Sequence, residues 1–550
     1  MTILTLDKKE LEKKIGKVDE KMQDRITMFG TPIEYVNDTE VAIEVFPNRP
    51  DVLSLHGFLR SFLPFIGKKV NAKYQVGKSS QYKVIIDKSV KKVRPYTSCA
   101  VIKGIRFTEE NIKEVIDIQE KLHGSYGRNR KKLAIGVYPL EQIKFPVTFL
   151  AKKPEDILFQ PLESPKKMNG RQILSMHPKG REYGHLLEDA QVFPIFQDTN
   201  KEILSMPPII NSEKTGKISE KTKDIFVECS GFNKQYLDKT LAMIVTTLAD
   251  MGGKIHQVQI LDKAENKKYN SPDLQPEKKE FSIDFLNKNL GTNFSEKEIK
   301  KLLEKMRITT VKEKKKTYGL IPSYRTDILH EIDLAEELAI AYGYENFKPE
   351  IPHIGTIGEE QPLAITKRKI AEILIGAGLL ETSSYHLSTK EKQFDLLNIS
   401  SEKKLIEVVD SKTERAILRN SLLANSIQIL KENTDAAYPQ KIFELGRIFT
   451  NNSNEETGIT EKEMLCISLC HEKANFTEIK QVLDYLMKLL DKTYEINEAT
   501  HPAYIDGRCG EIIVNKKSIG YIGEIHPSVL KNNKIGIPTA CLEIEIDWLI

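Results

Sequence analysis

Residues 321–347, IPSYRTDILHEIDLAEELAIAYGYENF, constrain this chain more than any other stretch. Pro322 and Ser323 interrupt whatever precedes them. Beyond them Ile332, Ala335, Leu338, Ala339 and Tyr342 recur at helical spacing, which predicts an amphipathic helix. Asp333, Glu336 and Glu337 stand at i, i+3 and i+4, so that helix would carry three carboxylates on one face. Asp327 lies one to two turns earlier, placed to curl back over the same face. Like charges at this spacing repel by roughly a few tenths of a kcal/mol per pair, and four together call for a counter-charge. A hard divalent cation is one candidate, since Mg²⁺ is commonly held by a few carboxylates plus water. An acidic first turn that complements the helix dipole is the alternative.

The segment before it reads as its frame. Ser295-Glu296-Lys297-Glu298 resembles a capping sequence and opens a helix through Ile299, Leu302, Leu303 and Met306. A strand at 308–311, a lysine-rich turn and a second strand at 318–321 follow. The order helix, hairpin, helix predicts a winged-helix-like module over residues 269–347. With 550 residues the chain is too long for one core, and about three to five domains are expected.

Residues 1–88 read as a small α+β domain. Asp7 is placed to cap a helix reaching Ile15, and residues 41–46 alternate like a strand. PNRPD at 47–51 is a corner from which Asp51 can cap the next helix. Residues 89–268 read as a larger α+β unit with a strand pair at 93–107, helices at 109–123 and 236–251, and a strand at 254–261. Its loop 124–132, GSYGRNRKK, is basic and glycine-containing. It either touches phosphates or is a solvated loop. Residues 266–280, polar and carrying Pro272 and Pro276, read as a linker. After Pro349 and Pro352, residues 348–550 predict an antiparallel sheet flanked by helices.

Composition narrows the setting. The 82 Lys+Arg against 78 Asp+Glu leave a net charge of +4, which neither demands nor excludes a nucleic-acid partner. Six scattered cysteines with no CxxC pair point to neither a zinc site nor a disulfide framework, and a reducing cytoplasm is the expected location. No run of about 18 apolar residues is present to span a membrane, and the N-terminus lacks a signal-peptide h-region.

Taken in order, PNRPD, HPKG…YGHLL, MPPIINS…TG, YRTDILHEIDLAEELAIAYGY, FELGRIF and HPAYIDGRCGEI…IGYIGEIHP form one set. By them the chain resembles the β subunit of phenylalanyl-tRNA synthetase of the archaeal and eukaryotic type. The implied fold class is α+β multidomain: a B3/B4-type editing domain (89–268), a winged-helix-like B5 domain (269–347) and a class II synthetase-like antiparallel-sheet domain (348–550). The resemblance implies an (αβ)₂ heterotetramer that joins phenylalanine to tRNA(Phe) at the expense of ATP. The α subunit would carry the aminoacylation site and bind phenylalanine and ATP. FELGRIF resembles a class II strand, but no glycine-rich block ending in arginine accompanies it, so the 348–550 domain is expected to be non-catalytic. The tRNA-binding OB-fold region and the ferredoxin-like anticodon-binding domain of the longer bacterial form are not expected.

The resemblance also assigns sites. Asp327, Asp333, Glu336 and Glu337 match the family's Mg²⁺ positions in B5. The 89–268 domain is expected to hydrolyse tyrosine mischarged onto tRNA(Phe), with Ser205, Asn211, Ser212 and Glu228 as candidate editing residues. Glu228 stands where many members of the family carry Asp. His177 and His185 either orient water or the terminal adenosine, or stabilise turns.

Overall fold

The first strand, Thr2–Asp7, turns directly into a helix: the Asp7 carboxylate accepts the Glu10 backbone N–H at 2.9 Å and caps Lys8–Ile15. That strand is an edge of a three-stranded sheet with Glu40–Val45 in the middle. The structure is a computed structural model that describes residues 2–70, 73–351, 355–400 and 405–549. The chain divides into two units, Met1–Ile351 and Pro352–Ile550. Pro352, read as a boundary marker, lies outside the described residues.

The corner after Glu40–Val45 differs from expectation. The cap of Leu55–Phe65 is Ser54, whose Oγ accepts the Gly57 N–H at 3.0 Å, and not Asp51. Asp51 sits one turn earlier, and its carboxylate is taken by Arg49. Phe58, Phe62 and Phe65 then bury one face of the helix against Phe29.

The centre of the first unit is an eleven-stranded sheet. Its main path runs Ile210–Asn211, Ile203–Met206, Phe193–Gln197, Val147–Lys152, Lys83–Ile86, Lys254–Asp262, Tyr96–Lys103, Ile225–Gly231, Leu133–Pro139. Ile225–Gly231 is buried along its whole length. The helix Lys234–Asp250 packs on it and on Tyr96–Lys103. Leu237, Leu241, Ile244 and Leu248 are buried at helical spacing, each contributing roughly 1.5–3 kcal/mol by removal from water.

Two expectations fail here, for different reasons. Residues 93–107 hold one strand, Tyr96–Lys103, not a pair: it is buried on both faces from Thr97 to Ile102, so no alternation marks its limits. Residues 266–280 are not a bare linker but contain the strands Lys267–Ser271 and Glu277–Phe281, whose lysines and glutamates face water.

Glu277–Phe281 opens the module around the acidic stretch. It pairs with Lys316–Ile321, which pairs with Thr309–Glu313. The helices Ile283–Leu290, Glu296–Lys305 and Glu331–Tyr342 share one core with this sheet. Ser295 and Glu298 form the expected reciprocal cap of Glu296–Lys305.

The second unit is a seven-stranded sheet. Leu380–Glu381 runs parallel to Gln440–Asn451, and the remaining pairs are antiparallel. Alternate residues of Gln440–Asn451 and Ile459–Cys470 feed two cores. One includes residues of Pro362–Gly376 and Phe476–Leu489, the other residues of Leu423–Glu432. All six cysteines are free and buried, Cys466 and Cys470 among them. Among the described residues no helix is long and apolar enough to cross a membrane.

Candidate functional site

The two ends of the nine-stranded main path meet. The Tyr138 hydroxyl, on Leu133–Pro139, lies 3.4 Å from Asn211 Oδ1, on Ile210–Asn211. Between them is a cavity of about 520 Å³ lined by Ser205, Asn211, Glu228, His177, Arg130 and the apolar Ile112, Ile116, Ala134 and Val137. That volume suits a small organic ligand. A larger cavity, about 1050 Å³, shares Ile116 and Glu120 with it, and two of its carboxylates, Glu114 and Asp250, already face His56 and Arg60.

Glu228 is the chemical centre of the smaller cavity. Strand register places it opposite Gly136 on one side and Cys99 on the other. Its Oε1 accepts the Tyr138 hydroxyl at 3.0 Å, while its Oε2 is buried with no partner. Burial raises its pKa to about 8, the Tyr138 hydrogen bond only partly opposing, so the carboxyl is mostly neutral at pH 7. Ser205 Oγ, buried in the same cavity, also lacks a partner. Gly136 makes the arrangement possible: a Cβ there would fall 2.1 Å from the Tyr138 hydroxyl and 2.6 Å from Glu228 Oε1. Two orphaned polar atoms facing one cavity fit a ligand with its own hydroxyl, because burying such atoms unsatisfied is costly.

The opposite wall is held by a polar chain. His123 Nε2 accepts the Ile135 N–H at 2.8 Å, which fixes its proton on Nδ1, 3.5 Å from Glu120 Oε1. Burial lowers His123 to about 4, so it is neutral. The nearby His123 ring, reinforced by Arg130, brings Glu120 down to about 2. Arg130 reaches Glu120 at 2.7 Å and the carbonyl of Ile209 at 2.9 Å, tying this wall to the 207–211 turn.

Ser205, Asn211 and Glu228 are thus brought together. Ser212 is not: it is buried at the start of Glu213–Gly216 and does not line the cavity. His177 lines it, but Nε2 lies 3.1 Å from the Leu162 carbonyl and Nδ1 accepts the Lys179 N–H, the turn-stabilising role. His185 lines a different pocket. Sequence reasoning missed Tyr138, Gly136, His123 and Arg130. A glycine inside the strand-like run LAIGVYP was the available signal.

The acidic stretch holds its own counter-charge. Arg325, almost fully buried, donates through Nε and Nη2 to both oxygens of Asp327 at 2.8 and 2.7 Å, and Nη2 lies 2.8 Å from Glu337 Oε1. Arg49 grips Asp51 by the same fork at 2.9 and 3.0 Å. The two Arg-x-Asp loops touch, with Thr326 Oγ1 donating to the Asn48 carbonyl at 3.1 Å. Burial would raise Asp327, but Arg325 and then Arg49 outweigh it and hold it at about 2. Asp333 accepts the N–H groups of Leu329 and His330, both at 2.6 Å, and so caps its own helix. Glu336 is the carboxylate left over, exposed, its pKa raised by partial burial and by Glu337, Asp333 and Asp327. As arranged, the four do not fit a shared cation: two are neutralised by Arg325 and one is committed to backbone N–H groups. Among the described residues no group of three or more His, Cys, Asp or Glu is placed to hold a metal.

In the second unit the FELGRIF glutamate, Glu444, is buried against Arg419 at 2.7 Å and Ser384 Oγ at 2.7 Å. Glu543 accepts from Ser421 Oγ at 2.8 Å and the Leu422 N–H at 2.5 Å. The carboxyls on this side of the sheet are satisfied by the chain's own groups.

Comparison with known proteins agrees with this architecture. A model of the tRNA synthetase B5 domain matches residues 279–344, and one of the phenylalanyl tRNA synthetase beta chain CLM domain matches 348–546. The chain is therefore an aminoacyl-tRNA synthetase subunit. The phenylalanine–tRNA ligase beta subunit of Archaeoglobus fulgidus is 37% identical over 99% of this chain and 98% of its own length. That of Methanosarcina acetivorans is 34% identical over 100% and 99%. A crystal structure of an N-terminal fragment of the phenylalanyl-tRNA synthetase beta subunit from Pyrococcus horikoshii superposes with a TM-score of 0.59 at 34% identity, over 62% of this chain and 99% of that one. The chain belongs to the phenylalanine–tRNA ligase β-subunit family.

Proposed function

We propose that this chain serves an (αβ)₂ phenylalanine–tRNA ligase by removing tyrosine wrongly attached to tRNA(Phe), in the cavity between Asn211 and Glu228. The orphaned Glu228 Oε2, beside the orphaned Ser205 hydroxyl, carries the reading. A tyrosyl side chain entering past Ile112, Ile116 and Val137 would bring its hydroxyl to these atoms. Glu228, neutral at pH 7, donates one hydrogen bond to it, and Ser205 or Asn211 takes part in the other. A phenylalanyl group would leave the same atoms buried and unpaired. Sites built this way reject the hydroxyl-free analogue by about 10⁴-fold or more. Water then cleaves the ester, releasing tyrosine and leaving the terminal ribose hydroxyl on the tRNA.

Attachment of phenylalanine, with ATP, belongs to the α subunit in this scheme. Support comes from the second unit, where Arg419 and Ser421 occupy the Glu444 and Glu543 carboxyls that a substrate-binding sheet would leave open. The B3/B4-type and class II-like labels belong to this proposal, as does a cytoplasmic location. A Mg²⁺ ion on Asp327, Asp333, Glu336 and Glu337 is proposed only for an arrangement in which Arg325 has left Asp327 and Glu337.

The test is deacylation of Tyr-tRNA(Phe) by the complex with α. Asn211→Ala should let Tyr-tRNA(Phe) accumulate; unchanged deacylation would remove this site from consideration.

A further inference from the structure

A second cavity, about 610 Å³, shares Arg130 with the first. Its other lining residues include Arg94, Lys131, Lys132, His185, Phe232 and Tyr236. Five arginines are buried among the described residues, and Arg60, Arg130, Arg325 and Arg419 each face a carboxylate within 3.3 Å. Arg94 does not. It donates to Ser230 Oγ at 3.1 Å and the Ser230 carbonyl at 2.7 Å, and no ion pair to it is present among the described residues. Burial lowers its pKa to about 10, and Glu228, the carboxyl whose charge acts on it, is itself neutralised by burial. A buried guanidinium without a carboxylate, opening on a cavity with two lysines, calls for an anion.

The loop that supplies the lysines is fixed in shape. Arg128, Asn129 and Arg130 all take positive φ, a conformation L side chains adopt only at a cost. Backbone bonds from Asn129, Arg130 and Lys132 to Gly124, His123 and Gly127 hold them there. The cavity mouth is aromatic. Phe232 is half exposed and lies 5.5 Å from the Arg94 guanidinium, while Tyr236 carries Lys132 at 4.6 Å. Asn233, at the same mouth, caps the seventeen-residue helix Lys234–Asp250, whose N-terminus also favours an anion. Cations beside an exposed ring are the arrangement that takes single-stranded nucleic acid: phosphate on the cations, base on the ring.

We propose that this cavity binds one nucleotide of the single-stranded 3′ end of tRNA, with its phosphate at Arg94, Lys131 and Lys132 and its base on Phe232. The identity of the RNA rests on the deacylation reading above, since Arg130 walls both cavities. The loop 124–132 then touches phosphate rather than water alone.

The test uses the complex with α and the trinucleotide cytidylyl-cytidylyl-adenosine as probe. Phe232→Trp keeps the ring and reports stacking locally, so fluorescence should be quenched on titration in this variant and not in the unsubstituted complex. Adding Lys131→Ala and Lys132→Ala should weaken the quench titration and reduce its salt slope by up to about 0.7 log units per log unit of salt, the contribution of one neutralised phosphate on a single strand. Phe232→Ala should raise KM for Tyr-tRNA(Phe) deacylation about tenfold, the loss of one stacked base. No quench in Phe232→Trp, or a titration that ignores the two lysines, overturns the proposal. If Asn211→Ala abolishes deacylation while the quench is absent, the cleft stands and this site falls. If the quench responds to the lysines but no Tyr-tRNA(Phe) is hydrolysed, the nucleotide site stands and the deacylation reading falls.

Discussion

Replacing Arg325 by Met tests the account of the acidic stretch. The substitution keeps the volume of the aliphatic stem and removes the fork. Asp327 and Glu337, both almost fully buried, would then lie beside each other and near Glu336 with no cation among them except Arg49, already engaged by Asp51. Removing one partner of a buried ion pair costs about 3–5 kcal/mol, and two carboxylates share this one, so the upper part of that range is expected. The acid limb gives the sign. Asp327 sits at about 2 in the fold against an ordinary 3.8, so it stabilises the native chain above pH 4 and that stability is lost as pH falls from about 4 to 2. Its worth is about 2.4 kcal/mol at 1.36 kcal/mol per unit. In Arg325→Met the orphaned carboxylates favour the protonated form, so the deficit against wild type should shrink on acidification. Hydrogen exchange on peptides covering 321–343, read at pH 7 and pH 4, measures both. Adding Asp327→Asn and Glu337→Gln should recover most of the loss. A single variant as well protected as wild type at pH 7 would refute the view that Arg325 is the counter-charge.

The same geometry makes Mg²⁺ dependence conditional. Millimolar Mg²⁺ should raise the melting temperature of Arg325→Met more than that of wild type, and a larger rise in wild type would show that the four carboxylates bind without releasing Arg325. Glu228 titrates at about 8 in the fold against 4.5 unfolded, so it favours folding below pH 4.5 and that contribution is lost as pH rises to 8. Glu228→Gln should therefore gain on wild type by about 1.4 kcal/mol per pH unit between pH 5 and 7.5, read by urea unfolding; parallel pH profiles would contradict the raised pKa. Gly136→Ala should cost about 1–3 kcal/mol by overpacking and displace the Tyr138 hydroxyl from Glu228. Tyr-tRNA(Phe) deacylation should fall with it, and an unimpaired Gly136→Ala complex would mean that Tyr138 plays no part.

Much of this architecture is written in local chemistry. Asp7 and the Ser295–Glu298 pair announce helix starts because their side chains accept backbone N–H groups three residues away, Glu298 reaching back to Ser295. The run from Ile332 to Tyr342 announces its helix by period. What failed was non-local. Arg325 stands two residues from Asp327 in plain view, yet its reach to Glu337 and its contact with the Asn48 loop depend on tertiary packing. Spacing alone therefore left a cation site and a dipole-complementing turn as alternatives and did not show the ion-pair network. The cleft divided in the same way. Asn211, Ser205 and Glu228 were named from motifs, whereas Tyr138 and Gly136 come from a strand that pairs beside Glu228 and meets Asn211 and Ser205 because the ends of the sheet approach each other. Ser212 is one residue from Asn211 in sequence but is buried on the other side of that turn. His185 was grouped with His177, yet it opens on the cavity of Arg94 and Phe232, to which the sequence pointed only through the basic loop 124–132.

The most direct test is the ratio of deacylation rates of Tyr-tRNA(Phe) and Phe-tRNA(Phe) by the complex of this chain with its α subunit. The account predicts rapid release of tyrosine, little release of phenylalanine, and loss of that preference in Glu228→Met combined with Ser205→Ala. Equal rates on the two substrates, or a preference untouched by removing those two polar groups, would contradict it.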